Sequence, residues 1–337
     1  MKKLFLRLTF VFLLVMSILV IYSYTEYQRF LQTNIAVSEI QTELEILSGD
    51  TVNLLAERLQ QQGIIDNALL FKVMARISKQ SQIKVGLYDI NSSMTPQILL
   101  KHLISGKVKQ FSVTFIEGWR FKEWRTHLDG IQEIEKTLSG FSDKEIMKLL
   151  GEPDLHPEGM FFPDTYAFEN NTKDITILKM ARERMKQFIQ KEWPNRSESL
   201  PYDTPYEALI MASIVEKETG APEERTKIAG VFVSRLEKNM RLETDPTVIY
   251  GIGDNFDGDI KRKHLREYTP YNTYRIKGLP PTPIAMPGGE SIKAALHPAI
   301  GDYLFFVSKG DGTHQFSTNL NDHNKAVRKY QLRKTNP

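Results

Sequence analysis

The chain has 337 residues, enough for roughly two domains at about 150 residues each. With 41% hydrophobic and 25% charged residues it has the composition of an ordinary folded protein, neither disordered nor collagen-like. The net charge of +3 is accounted for by Lys2, Lys3 and Arg7, and beyond them acids and bases balance. No basic face for nucleic acid is expected. Cysteine is absent, which excludes disulfides, thiolate nucleophiles, Cys-ligated metals and a lipid-bearing N-terminal Cys.

The first element decides the compartment. Lys2, Lys3 and Arg7 precede Leu8 to Tyr22, a run interrupted only by Thr9, Ser17 and Tyr22 itself. Counted from Leu4, the run is about 19 residues, long enough to span a hydrocarbon core. A cleaved signal peptide has similar flanks, but Tyr22-Ser23-Tyr24-Thr25-Glu26 is bulky where a small-x-small site is needed. The expectation is an uncleaved single-pass anchor over 1–24 in the cytoplasmic (inner) membrane. By the positive-inside rule the N-terminus is cytoplasmic and the body extracytoplasmic.

Residues 25–42 read as a stalk or a helical continuation. From about Glu43 a compact pattern begins, with a short strand at Leu44 to Leu47 and then a helix with Val52, Leu55, Ala56 and Leu59 on one face. A second helix runs from about Asp66 to Ile77 with Leu69, Leu70, Val73 and Ile77 at helical spacing. A strand at Ile83 to Ile90 and a helix at Thr95 to Ile104 follow. This predicts a small α+β module over 43–112. Further on come a capping box at Ser142-x-x-Glu145 and a long helix from Asp174 to about Glu192 carrying Ile177, Leu178, Ala181, Met185 and Phe188. Helices are predicted at Glu207–Thr219 and Glu223–Leu236. Residues 241–290, rich in Tyr, Thr, Asn, Pro and Gly, read as loops. Tyr303 to Val307 and His314 to Ser317 form a hairpin around Asp311-Gly312.

Metal chemistry is not expected, because the seven His are scattered and no HExxH occurs. His314 and His323 are near enough in sequence to meet in the fold, with structural or substrate contacts the better reading. A GxSxG elbow and phosphate loops are missing as well, and no cofactor is expected. Carboxylates remain. At about 100° per residue, Glu218 falls within the apolar arc of Ile210, Met211, Ile214 and Val215, while Glu216 lies on the flank beside Leu209 and Ala212. A carboxyl among apolar side chains at a helix C-terminus has its charged form disfavoured, as a general acid near neutral pH requires. Periodicity alone leaves a second reading open, in which both acids are solvated last-turn residues.

Six motifs, taken together and in order, resemble the YceG-like (MltG) family of endolytic murein transglycosylases. They are Glu158-Gly-Met-Phe-Phe-Pro-Asp-Thr165, Ala212-Ser-Ile-Val-Glu-Lys-Glu-Thr219, Thr244-Asp-Pro-Thr-Val-Ile-Tyr-Gly251, Tyr271-Asn-Thr-Tyr274, Gly278-Leu-Pro-Pro281 and Asn319-x-x-x-His-Asn324. The resemblance covers nearly the whole chain, although 120–150 fits only loosely. It implies that the 43–112 module is LysM-like and binds peptidoglycan. It further implies that 113–337 is a mixed helix, loop and short-sheet catalytic domain, with 113–200 connecting and 201–337 bearing the active site. The catalytic acid carried over is Glu218. Tyr250, Tyr271, Asn272, Tyr274, Asn319 and Asn324 are the types that hydrogen-bond sugar hydroxyls and acetamido groups. The implied reaction cleaves the β-1,4 bond between N-acetylmuramic acid and N-acetylglucosamine without water, leaving 1,6-anhydro ends. That sets nascent strand length, and the family adds association with peptidoglycan synthases. Asp245, before Pro246, reads as a turn residue. Two rivals stay open: a peptidoglycan hydrolase using Asp245 or Asp164 with Glu218, and a non-catalytic cell-wall-binding scaffold.

Overall fold

The computed structural model describes residues 2–38, 42–79, 82–299 and 301–332. Residues 39–41 of the expected stalk and 333–337 of the expected catalytic domain lie outside the described residues. The chain divides into two compact units, Met1–Phe111 and Ser112–Pro337.

The first unit opens with α1 (Lys2–Gln32), whose apolar side chains from Leu4 to Tyr24 are exposed. The hydroxyls of Thr9 and Ser17 donate to the carbonyls of Phe5 and Leu13 one turn back, at 2.9 and 2.8 Å. Those two hydroxyls are thereby satisfied within the helix. The helix then continues through the first part of the expected stalk, and its end and the residues just after it are not free. Phe30 and Ile35 are buried among the core of the unit, and Ile35 N and Ala36 N donate to Met94 O and Ile64 O.

That core lies between β1 (Glu43–Ile46), α2 (Val52–Gln61), α3 (Ala68–Ile77), β2 (Gly86–Asp89) and α4 (Pro96–Ser105). β1 and β2 pair antiparallel, from Glu43 opposite Asp89 to Ile46 opposite Gly86. Leu44 and Ile46 point inward and Glu43 and Glu45 outward, which is the period-two alternation of a half-buried strand. Side chains of Thr51, Asn67 and Thr95 cap the three helices, and Gly106 closes α4 in the left-handed conformation. The buried face of α2 is the predicted one. For α3 the structure corrects the expectation: Ala68, Phe71, Met74 and Ala75 are buried, whereas Leu69 and Ile77 are 67% and 65% exposed. Both stripes have helical spacing, and the one carrying the larger Phe71 and Met74 went inward.

After β3 (Gln110–Thr114), the second unit continues with α5 (Phe121–Asp129), β4 (Ile134–Glu135), α6 (Asp143–Leu149), β5 (Thr165–Glu169), β6 (Thr172–Lys173) and α7 (Asp174–Glu192). β3 pairs β5, β4 runs parallel to β6, and both predicted capping-box bonds form at Ser142 and Glu145. Trp124 of α5 stacks flat on Phe115 inside this half. The remaining elements are α8 (Pro205–Glu218), α9 (Arg225–Glu237), α10 (Asp245–Ile252), α11 (Arg262–Arg266), α12 (Gly289–Leu296), the hairpin β7 (Phe305–Ser308) and β8 (His314–Ser317), and α13 (Leu320–Tyr330). The class is α+β, with small two-stranded sheets among many helices. Where loops were expected over 241–290, α10, α11 and the start of α12 occur. Pro246 at the first turn of α10 starts that helix instead of breaking one.

Candidate active site

α8 is set by its sequence at both ends. Thr204 caps it and Glu207 closes the capping box, with Pro205 in the first turn. Every residue from Ala208 to Val215 is buried, against α9 on one side and α12 on another. A helix wrapped on all sides carries no single apolar face, so the arc used to single out Glu218 does not describe its surroundings. What distinguishes the two acids is their partners in the last turn. Glu216 Oε2 accepts the Gly288 N–H at 3.0 Å. Glu218 accepts the hydroxyl of Thr244.

Glu218 lines a cleft of about 450 Å³ bounded by the end of α8, the segment leading into α10, the β7–β8 hairpin and α13. Asp245, Tyr274, Glu243, Arg235 and His314 also line it. Asp245 is the first residue of α10, not a free turn, and its Oδ1 accepts the Tyr274 hydroxyl at 2.7 Å. Arg235 of α9 is only 7% exposed and acts as the staple of the cleft floor. Its guanidinium donates to Leu304 O at 2.7 Å, Arg241 O at 3.0 Å and Leu242 O at 2.9 Å, and pairs with Glu243 at 3.2 Å. Opposite, Glu224 holds His314 through both its backbone N–H and Nδ1.

Burial pushes the half-buried Glu218 carboxyl up to about 7, and the neighbouring charge of Asp245 pushes the same way. The Thr244 hydrogen bond opposes the rise. The result is a carboxyl able to hold and release a proton near neutrality at the edge of an open cleft. Burial also raises the Tyr274 phenol, so it stays a neutral donor to Asp245.

A second carboxyl with the same property stands first in one of the family motifs, where its local sequence carries no sign of an acid role. Glu158 is 4% exposed and is pushed up to about 7 by burial. Its oxygens accept Phe121 N at 3.0 Å and the Tyr250 hydroxyl at 3.1 Å. The next residue, Gly159, has φ +77, and a Cβ there would lie 2.5 Å from Pro283, so only glycine lets this loop close. Glu158 is not among the residues that line the Glu218 cleft.

The predicted sugar-contacting residues are not all gathered at the Glu218 cleft. Tyr274 lines the cleft beside Glu218. Tyr250 packs on Tyr271, with ring centroids 4.9 Å apart, while the Tyr271 hydroxyl pairs with Thr282 at 2.9 Å. Asn272 is 1% exposed and donates its amide to His264 O and Glu267 O, holding the loop. Asn319 caps α13 by accepting Asp322 N at 3.0 Å, and Asn324 is exposed on that helix. Asp164 pairs with Arg184 and does not line the cleft. Arg235 and Glu243, which line the cleft, and Thr244 and Glu224, which bond to its residues Glu218 and His314, escaped sequence reasoning as site components. Thr244 alone stood in a quoted motif. His314 and His323, flagged as able to meet, do line the same cleft.

A family model described as the YceG-like family matches residues 44–329. A Bacillus subtilis (strain 168) protein named endolytic murein transglycosylase is 32% identical, over 87% of this chain and 86% of its own length. A Streptococcus pneumoniae (strain D39) protein of the same name is 24% identical over 96% of this chain, which spans 65% of that longer protein. Among solved structures, a YceG-like protein from Listeria monocytogenes superposes with a TM-score of 0.54 at 28% identity, covering 84% of this chain and 98% of that one. By the match of family model, relatives and fold, this chain belongs to the YceG-like family.

Proposed function

We propose that this protein is an endolytic lytic transglycosylase of peptidoglycan with Glu218 as its single catalytic acid and base. The observation that carries the reading is a carboxyl held near pH 7 by burial, oriented by Thr244, at the edge of an open cleft. Protonated Glu218 gives its proton to the glycosidic oxygen between N-acetylmuramic acid and N-acetylglucosamine. The bond from C1 to that oxygen breaks, and the N-acetylglucosamine leaves with the proton on its 4-hydroxyl. The resulting carboxylate takes the proton of the muramic C6 hydroxyl as the C6 oxygen attacks C1 and closes the 1,6-anhydro ring. Because the nucleophile is tethered, its effective concentration is high and no water has to be activated. In this reading Tyr274, which lines the same cleft, meets the sugar alongside Glu218.

In this reading α1 anchors the enzyme, N-terminus inside, in the cytoplasmic membrane. The first unit acts as a LysM-like peptidoglycan-binding module, and cleavage occurs where new strands emerge, beside the synthases that make them. The name shared by the Bacillus and Streptococcus relatives supports the activity. The apolar, exposed surface of α1 supports the anchor.

Digesting purified uncrosslinked glycan strands and weighing the products tests the activity. Strands ending in 1,6-anhydro sugars are expected, each lighter by one water than a hydrolytic end. One observation favours a second reading, hydrolysis: Asp245 faces the same cleft as Glu218, and two carboxylates are what a hydrolase needs. New reducing ends formed in step with cleavage would establish it.

A further inference from the structure

We propose that His314, locked by Glu224, is a second substrate-facing group of the Glu218 cleft, and that its Nε2 accepts a hydrogen bond from the glycan. The donor is of one chemical class, a sugar hydroxyl or the N–H of an acetamido group. The inference rests on the cleft being a glycan site, as proposed above.

The two oxygens of Glu224 receive two atoms of the same residue, His314 N at 3.0 Å and His314 Nδ1 at 2.7 Å. Both side chains are nearly buried, 11% exposed for His314 and 10% for Glu224. A carboxylate only accepts, so Nδ1 carries the hydrogen. In the neutral ring Nε2 then carries the lone pair, and the tautomer is fixed by the partner on the other side. The ring edge meets Phe306 at 5.4 Å and 88°, which keeps it from swinging.

The free nitrogen has somewhere to point. His314 lines the cleft with Glu218, and no hydrogen bond to Nε2 is found among the described residues. Nε2 is also not among the polar atoms shut away without a partner, whereas Nδ1 of His323 is. Glu224 ends the single 3-10 turn, Pro222–Glu224, that follows α8, so the short stretch of backbone that presents Glu218 also fixes the carboxylate aiming His314. A pair that only tied the hairpin to α9 would have no need of an imidazole with one nitrogen open to the cleft. No proton changes hands at His314 in this proposal. It positions the sugar against Glu218.

The test uses the full chain and purified uncrosslinked glycan strands. His314→Asn keeps an N–H where Nδ1–H stood and removes the cleft nitrogen, and His314→Gln puts an amide oxygen near the position of Nε2. Binding is read in a Glu218→Gln background and cleavage in the native one. The expected result is about tenfold weaker binding and at least tenfold lower kcat/KM for His314→Asn, with an unchanged melting temperature and recovery of most of the loss in His314→Gln. If His314→Asn folds poorly, Glu224→Gln decides, with a lowered kcat/KM at unchanged stability expected. Variants that bind and cleave like their parents, or that lose both only as the folded fraction falls, overturn the proposal. Should the native chain make no anhydro ends, the proposed function fails, while the binding arm still judges His314 separately.

Discussion

The Thr244 hydroxyl donates to the Glu218 carboxyl, although Thr244 is the N-cap of α10 and makes no side-chain bond to its own helix. A capping hydroxyl ordinarily accepts from the N–H two or three residues on, a bond worth about 1 kcal/mol. Here that bond is given up, and the hydroxyl joins the last residue of α8 to the start of α10. The backbone is held elsewhere, by Thr244 N to Thr273 Oγ1 at 3.0 Å and Thr247 Oγ1 to Thr244 O at 2.8 Å. Because the hydroxyl favours the ionised carboxyl, Thr244→Val should move the alkaline limb of the pH–rate profile upward and reduce the maximal rate. A pH–rate series on the variant checks this, and a limb that stays in place or moves down would refute the role given to Thr244.

Glu218→Gln should abolish cleavage while the fold persists. Gln still accepts from Thr244 but cannot deliver a proton, and general acid catalysis is worth roughly 10²–10⁴-fold. Glu216→Gln should cost little, since its amide oxygen can still accept the Gly288 N–H. Product analysis paired with thermal melts on both variants separates the two roles.

Glu218 and Glu158, each raised from 4.5 to about 7, make a prediction about stability. Between those values the folded protein holds protons that the unfolded chain has released. Stability from this source is therefore full below about pH 4.5 and declines as pH rises through 7. For the buried Glu158 the decline is at most about 3 kcal/mol, at 1.36 kcal/mol per unit, and for the half-buried Glu218 it is smaller. Urea unfolding at about pH 5 and pH 8 should show the native chain losing more stability than Glu158→Gln or Glu218→Gln. Equal losses would mean that neither carboxyl is strained in its charged form.

Arg235→Met should be among the most damaging substitutions in the second unit. It leaves Leu304 O, Arg241 O and Leu242 O without their donor, and each buried unsatisfied group costs about 1–3 kcal/mol. A loss of about 3 kcal/mol or more is expected in denaturant midpoints. Arg235→Lys should recover little of it, because an ammonium cannot reproduce the fork.

The boundary of the first unit gives the last prediction. A fragment beginning at residue 43 lacks Phe30 and Ile35, which are 7% and 3% exposed in its core. At about 1.5–3 kcal/mol for each fully buried side chain, it should be less stable than a 27–111 fragment by on the order of 4 kcal/mol. Urea melts of the two fragments give the comparison, and equal midpoints would show that the end of α1 contributes nothing.

Much of this protein was written locally. The apolar run of α1, the Thr51, Thr95 and Ser142 caps, the buried face of α2 and the His314–Ser317 arm of the hairpin follow from residues within a turn or two of each other. Glu218 could be singled out because an acid ends an otherwise apolar helix. Tertiary structure decided the rest. On α3 two apolar stripes had equal spacing, and only packing chose Phe71 and Met74 over Leu69 and Ile77. Tyr250 was drawn to Glu158, 92 residues away, and Asn272 to backbone carbonyls. Glu224 found His314 across 90 residues, and Thr244 found Glu218 across 26. Periodicity reports only which side chains share a face of one element. Which distant group meets that face is set when loops close and buried polar atoms must find partners, and no local pattern carries that information.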